Sequence, residues 1–226
     1  MRAIDVMVRD VITVHPDTDV AEAVGLLGKH DVSALPVVDS NNHLLGIISE
    51  ADLIHRVEIG TEMHRPWWME AVTGASILAQ DFAKSHGKKV GEVMTKDVVS
   101  STEETPLSEL AALLERKRIK RVPIVRDGKL VGVVSRSNLI QALASAIGHN
   151  DSDASSDNDR KIRRELVERL SQQPWTDFGS RNIIVSNGVV HVWGLVGSDS
   201  ERQALIALAE CVPGVSRVSD EMIPAY

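Results

Sequence analysis

The stretch VSALPVVDSNNHLLGIISEADL, residues 32–53, decides the fold, because it occurs twice; its counterpart is IKRVPIVRDGKLVGVVSRSNL, residues 119–139. Each copy holds two short apolar runs, Leu35–Val38 and Leu44–Ile48 in the first, joined by a polar turn. Runs of this length bounded by turn residues predict buried strands, and Asp127-Gly128 is the stronger hairpin signal of the two turns. Worked outward, residues 7–54 align with 94–140 at a shift of 87 that falls to 86 once Asn41 is skipped, and 14 of the 47 aligned pairs are identical. Pro36/Pro123, Gly46/Gly132 and Ser49/Ser135 fall in register, so the chain carries an internal repeat rather than a chance echo.

Each repeat predicts strand, helix, strand, strand, helix. Val11, Ile12 and Val14 form a short strand, matched by Val98 and Val99. Val20, Ala23, Val24 and Leu27 make a helical stripe that Leu107, Leu110, Ala111 and Leu114 repeat. Asp19 precedes Glu22 by three as in a capping box, and Pro106 suits a first helical position. Ser49 and Ser135 cap the closing helices. Between the repeats, residues 57–93 contain Trp67-Trp68 and a helical pattern at Ile77, Leu78 and Phe82.

Residues 149–159 hold four Asp and no base and predict a solvated linker. Beyond it, Ile162, Leu166, Val167 and Leu170 share a helix face. Asn187-Gly188 between apolar runs predicts a hairpin with a type I′ turn, and a helix over 200–209 leads to a last strand around Val215, Val218 and Met222. The fold class is therefore α+β: a pair of β-α-β-β-α repeats over 1–148 (about 7–56 and 94–143), the linker, and a small α-β-β-α-β unit over 160–226.

Composition excludes several function classes. A net charge of -7, from 25 Lys plus Arg against 32 Asp plus Glu, disfavours general nucleic-acid binding, so no nucleic acid is expected as a partner. Cys211 is the one cysteine, which removes disulfide frameworks and Cys-based metal sites and fits a reducing compartment; core packing is expected for it. Residues 1–14 carry Arg2, Asp5, Arg9 and Asp10 instead of a signal peptide's apolar stretch, so a cytoplasmic setting is expected. His15, His30, His43 and His55 show no metal-ligand spacing, and no nucleophile elbow or phosphate loop is present. No enzyme is expected.

The repeats resemble the CBS domain, named for cystathionine β-synthase, and the two together resemble a CBS pair. The resemblance rests on Val32–Asp39 and Leu45–Leu53 in the first copy and on Ile119–Val125 and Val131–Leu139 in the second. The C-terminal unit resembles a BON domain through Asn187–Gly194 and Pro213-Gly214-Val215. The resemblance implies a regulatory protein that binds AMP, ADP, ATP or another adenosyl compound, requires no cofactor and forms a homodimer. It implies clefts lined by both repeats, with Ile12, Val32, Ser33, Ala34, Ser49 and Asp52 from the first and Val99, Ile119, Lys120, Arg121, Ser135, Arg136 and Asn138 from the second. For a BON domain it implies a phospholipid or protein partner. A scaffold or membrane-surface adaptor, in which the pair dimerises and the BON unit does the work, is the alternative.

The same residues admit plainer readings. Ser49-x-x-Asp52 and Ser135-x-x-Asn138 read either as helix caps or, as the resemblance implies, as ribose acceptors, and Asn138 accepts less well than Asp would. Lys120, Arg121 and Arg136 stand where the first repeat has Ser33, Ala34 and Glu50; they are surface scatter or a phosphate cradle. Trp67 and Trp68 cover the module's own surface or a dimer face, or else make a partner or membrane contact.

Overall fold

The computed structural model describes residues 1–61, 73–147, 157–176 and 183–225. In chain order the elements are α1 (Ala3–Val6), α2 (Val20–Lys29), β1 (Ala34–Val38), β2 (Leu44–Ser49), α3 (Glu50–Leu53), α4 (Ala75–His86), α5 (Val90–Val93), α6 (Leu107–Arg116), β3 (Arg121–Arg126), β4 (Lys129–Ser135) and α7 (Arg136–Ala146). They continue with α8 (Asp157–Ser171), β5 (Ile183–Ser186), β6 (Val189–Val196), α9 (Asp199–Glu210) and β7 (Arg217–Pro224). The fold is α+β, with two antiparallel hairpins, β1-β2 and β3-β4, and one sheet of order β5-β6-β7. Trp67 and Trp68 lie outside the described residues. Among the described residues no helix is long and apolar enough to cross a membrane.

The chain folds into two compact units: Met1–Val11, Ser100–Arg126 and Val131–Tyr226 form one; Ile12–Val99 and Asp127–Leu130 form the other. These are not the sequence repeats. Each unit draws its opening turn from the segment ahead of the other repeat. In the first unit Met7 is fully buried in the core with Leu110, Ile124 and Val134, and Val8 pairs with Val133. In the second, Met94 joins Val14, Leu35 and Ile48, and Thr95 pairs with Ile47. Glycine permits this. A Cβ on Gly132 would stand 2.7 Å from Met7 Sδ and 2.8 Å from the Val8 carbonyl; one on Gly46 would stand 2.5 Å from Met94 Sδ. Gly25, inside α2, has nothing within 4 Å. Gly132→Ala is therefore expected to lose ~1–3 kcal/mol by overpacking. Gly25→Ala is expected to gain up to ~1 kcal/mol by helix propensity. Paired urea unfolding curves check the opposite signs.

Some local expectations shift. The opening strand of each repeat shrinks to single bridges, Val14 with Val37 and Ser101 with Ile124. The predicted stripe of α2 buries Val20, Ala23 and Leu27 but leaves Val24 49% exposed. Asp19 makes no capping bond to its helix and instead pairs with Lys89 at 2.9 Å. Pro106 is the N-cap of α6, one position before the helix. Cys211 is exposed at the end of α9, not packed in the core, because the apolar stripe of that helix turns through Leu205 and Ala209.

The C-terminal part of the first unit has the expected α-β-β-α-β order, with Asn187 (φ 52°) and Gly188 (φ 74°) both left-handed as a type I′ turn requires. β6 and β7 run parallel, so α9 is the crossover between them. Its core comprises Ile162, Leu166 and Leu170 of α8 with Ile183, Val185, Val190 and Val192 of the sheet. The last three residues of the stretch expected as linker, 157–159, are helix instead. α8 already begins at Asp157, and Asp159 is 1% exposed, accepting the Asn187 and Gly188 amides at 3.1 and 2.8 Å. A carboxylate that anchors a turn in this way cannot be solvated spacer.

This C-terminal part is seated on the second repeat. Ile184 is 2% exposed and packs with Ala3, Val6 and Met7. Arg163, 5% exposed, donates to the carbonyls of Ile183 (2.9 Å), Met7 (2.8 Å) and Ile4 (3.3 Å). Arg160 pairs at 2.9 Å with Asp5, whose side chain is 1% exposed. Burial pushes the Arg163 guanidinium down to about 10, with Arg9 adding to the fall and Asp5 opposing it, so it stays cationic at neutral pH.

Candidate functional site

In the second unit, β2 ends at Ser49 and α3 starts at once, so a cap is required there. Asp52 supplies it: its Oδ2 accepts the Ser49 amide at 3.0 Å and the Ser49 hydroxyl at 2.8 Å. The hairpin register sets Ala34 opposite Ser49, and the Glu50 amide donates to the Ser33 carbonyl at 3.1 Å. Ser33, Ala34, Ser49 and Asp52 are thus brought together at one end of β1 and β2. Ile12 and Val32 are half-buried against the core of the same unit. Val99 is half-buried in that unit too, although it belongs to the second sequence repeat.

Two partners of Asp52 carry no sign in the sequence. Its Oδ1 accepts from Lys84 Nζ of α4 at 3.0 Å and from Thr95 Oγ1 at 3.0 Å. These residues stand 32 and 43 positions from Asp52, and no local pattern announces either. The Asp52 side chain is left 8% exposed.

The first unit repeats the arrangement with different chemistry. Asn138 Oδ1 accepts the Ser135 amide and hydroxyl, both at 2.8 Å, while its Nδ2 donates to Gln141 at 3.3 Å. Asn138 is 5% exposed. The Arg136 amide donates to the Lys120 carbonyl at 3.2 Å, the counterpart of the Glu50–Ser33 bond. Lys120, Arg121 and Arg136 are thereby collected where β3 begins and β4 ends. Arg136 is also a helix cap: its guanidinium donates to the Ile119 and Leu114 carbonyls at 3.1 and 3.4 Å, beside the end of α6 where positive charge is favoured. Lys120 is exposed, Arg121 half-buried, and Ile119 packs against the core. Both helix-cap readings therefore hold, and each leaves oxygen or nitrogen groups next to the strand ends. Among the described residues no group of three or more His, Cys, Asp or Glu could hold a metal ion.

Comparison with known proteins follows the same division. The CBS domain model matches residues 3–59 and 90–145, and the BON domain model matches 158–223. The chain is similar to inosine-5'-monophosphate dehydrogenase of Methanocaldococcus jannaschii, 33% identical over 62% of this chain but only 23% of that protein. It is similar to the chloroplastic CBS domain-containing protein CBSX2 of Arabidopsis thaliana, 33% identical over 57% of each chain. The chain thus spans well under two thirds of both relatives. A crystal structure of CBSX2 in complex with AMP superposes with a TM-score of 0.56 at 31% identity, covering 64% of this chain and 97% of that one.

Proposed function

The chain belongs to the CBS domain family and carries a BON domain behind the pair, and on that premise we propose that it is a non-enzymatic sensor of an adenine nucleotide or related adenosyl ligand. The observation that supports this best is Asp52, a carboxylate at a strand-to-helix junction, matched in the other repeat by Asn138 beside Lys120, Arg121 and Arg136. A carboxylate accepts both hydroxyls of a ribose diol, and guanidinium groups recognise phosphate by a fork of parallel hydrogen bonds. The AMP complex of CBSX2, 31% identical, supports the ligand class. In this reading Ile12, Val32, Ser33–Ala34 and Val99 line the base and ribose beside Asp52, and Ile119 does so beside Asn138; Ser49 and Ser135 hold the acceptors in place. We assign 1–148 to the pair and the C-terminal helix onward to the BON domain, and propose a cytoplasmic setting.

The sensor would pass its state to a partner. The exposed apolar residues Ile140 (65%), Leu143 (56%) and Ile147 (71%) on and just after α7 support homodimerisation through the pair. In the BON domain Leu195 and Ile223, register partners on β6 and β7 and each 62% exposed, support a protein contact; they also keep open the adaptor reading, with phospholipid as the other candidate.

A thermal-shift series with AMP, ADP, ATP, NAD, NADH and S-adenosylmethionine tests the ligand class. A compound at 100 times its Kd is expected to stabilise by about 2.7 kcal/mol. If Arg121 contacts phosphate, Arg121→Ala weakens ATP roughly ten- to a hundredfold and leaves adenosine unchanged, since a hydrogen bond to a charged group contributes about 1.5–3 kcal/mol. Equal losses for both compounds would return Arg121 to an ordinary surface charge.

A further inference from the structure

Asp52 is full. A carboxylate offers about four acceptor positions. The Ser49 amide and hydroxyl take Oδ2, and Lys84 and Thr95 take Oδ1. A ribose diol needs two of these places, so a ligand held by Asp52 must displace something. The Ser49 pair is local and goes with the helix cap. Thr95 is pinned by reciprocal backbone bonds to Ile47, both 2.9 Å. Lys84 differs from both. Its ammonium sits on a flexible stem, and its side chain is 42% exposed.

The backbone beneath Lys84 is nevertheless fixed. Arg56, 5% exposed, donates to the Lys84 carbonyl at 3.0 Å and to the Gly87 carbonyl at 2.8 Å, gripping the end of α4. Glu58 is engaged by Arg56 and does not bind Lys84. The stem can therefore swing while the helix stays, and a displaced ammonium remains next to the vacated carboxylate edge. The first repeat offers no other cation at matched positions, where the second has Lys120, Arg121 and Arg136.

We propose that Lys84 is a specificity-determining residue of the first repeat's site: it occupies Asp52 when the site is empty and passes to the ligand's phosphate when the ribose takes its place. The proposal rests on the reading of Asp52 as a ribose acceptor. An uncharged nucleoside breaks the Lys84–Asp52 pair and returns nothing to the ammonium. A nucleotide breaks the same pair and gives Lys84 a new anion. The exchange selects phosphorylated adenosyl compounds over neutral ones without a cation at the matched positions of the first repeat.

Calorimetric titration of the full chain with adenosine and AMP tests this in wild type, Lys84→Met, Lys84→Arg and Asp52→Ala. Lys84→Met is expected to bind adenosine three- to tenfold more tightly, the scale of a partly exposed ion pair, and to lose at least as much of the preference for AMP. Lys84→Arg is expected to keep that preference. Adenosine affinity unchanged in Lys84→Met while Asp52→Ala weakens binding would overturn the proposal and leave the ribose reading standing. Adenosine and AMP both tightening by one factor would overturn the hand-over to phosphate. Binding that ignores Asp52→Ala would remove the ribose reading and the proposal together.

Discussion

Arg163→Ala is expected to destabilise the protein by about 3–5 kcal/mol, the scale of removing a buried charge from its partners. The guanidinium satisfies three backbone carbonyls from two regions of one unit: Ile183 on β5, and Ile4 and Met7 on the segment that docks against the second repeat. Alanine leaves those acceptors dry and unsatisfied. Arg164 is the internal control. It is exposed on the same helix, and Arg164→Ala is expected to stay within about 0.5 kcal/mol. Urea unfolding of both variants decides the matter; equal midpoints would show that Arg163 holds nothing that water cannot replace. Limited proteolysis adds the location of the damage. Cleavage after Arg163→Ala should release the BON domain while the wild type holds it.

A second large effect is expected at β5, where neighbouring residues serve different cores. Ile183 belongs to the BON core with Leu166 and Val192, while Ile184 belongs to the cluster with Met7, Leu110 and Ile124. Alternation along a strand produces this division. Each Ile→Ala change is expected to cost about 2–4 kcal/mol. Hydrogen exchange should separate them. Ile183→Ala should lose protection in α8 and β6, whereas Ile184→Ala should lose it in α1 and β5 with the rest of the BON core intact. The same pattern from both variants would contradict a seam through Ile184.

The architecture was legible because its marks are local or periodic. Pro36, Gly46 and Ser49 recur in register, and Asn187-Gly188 demands left-handed backbone at both positions. What escaped depends on pairs distant in sequence. Met7 lies beneath Gly132, and Met94 beneath Gly46, so the compact units cross the repeat boundaries. Periodicity marked Ile162 and Leu166 as buried but passed over Arg163 between them, because a charge is buried only where carbonyls converge, and convergence is a property of the assembled fold. At the site, the capping pattern announced Ser49, Asp52, Ser135 and Asn138. Lys84 and Thr95 came from segments with no pattern that points at Asp52. The acid-rich stretch that runs into α8 misled for a related reason: Asp159 looks like one more solvated charge until the β5-β6 turn brings two amides to it.

The proposed adenosyl site lies at the strand-to-helix junctions of the CBS pair, at Asp52 and Asn138. Isothermal titration of the full chain with AMP tests it most directly, run beside Asp52→Ala and Asn138→Ala. Saturable binding to wild type is expected, with at least a tenfold loss in one of the two variants, since a ribose hydrogen bond to a carboxylate such as Asp52 contributes about 1.5–3 kcal/mol. Absence of binding at millimolar AMP, or binding that neither substitution alters, would contradict it.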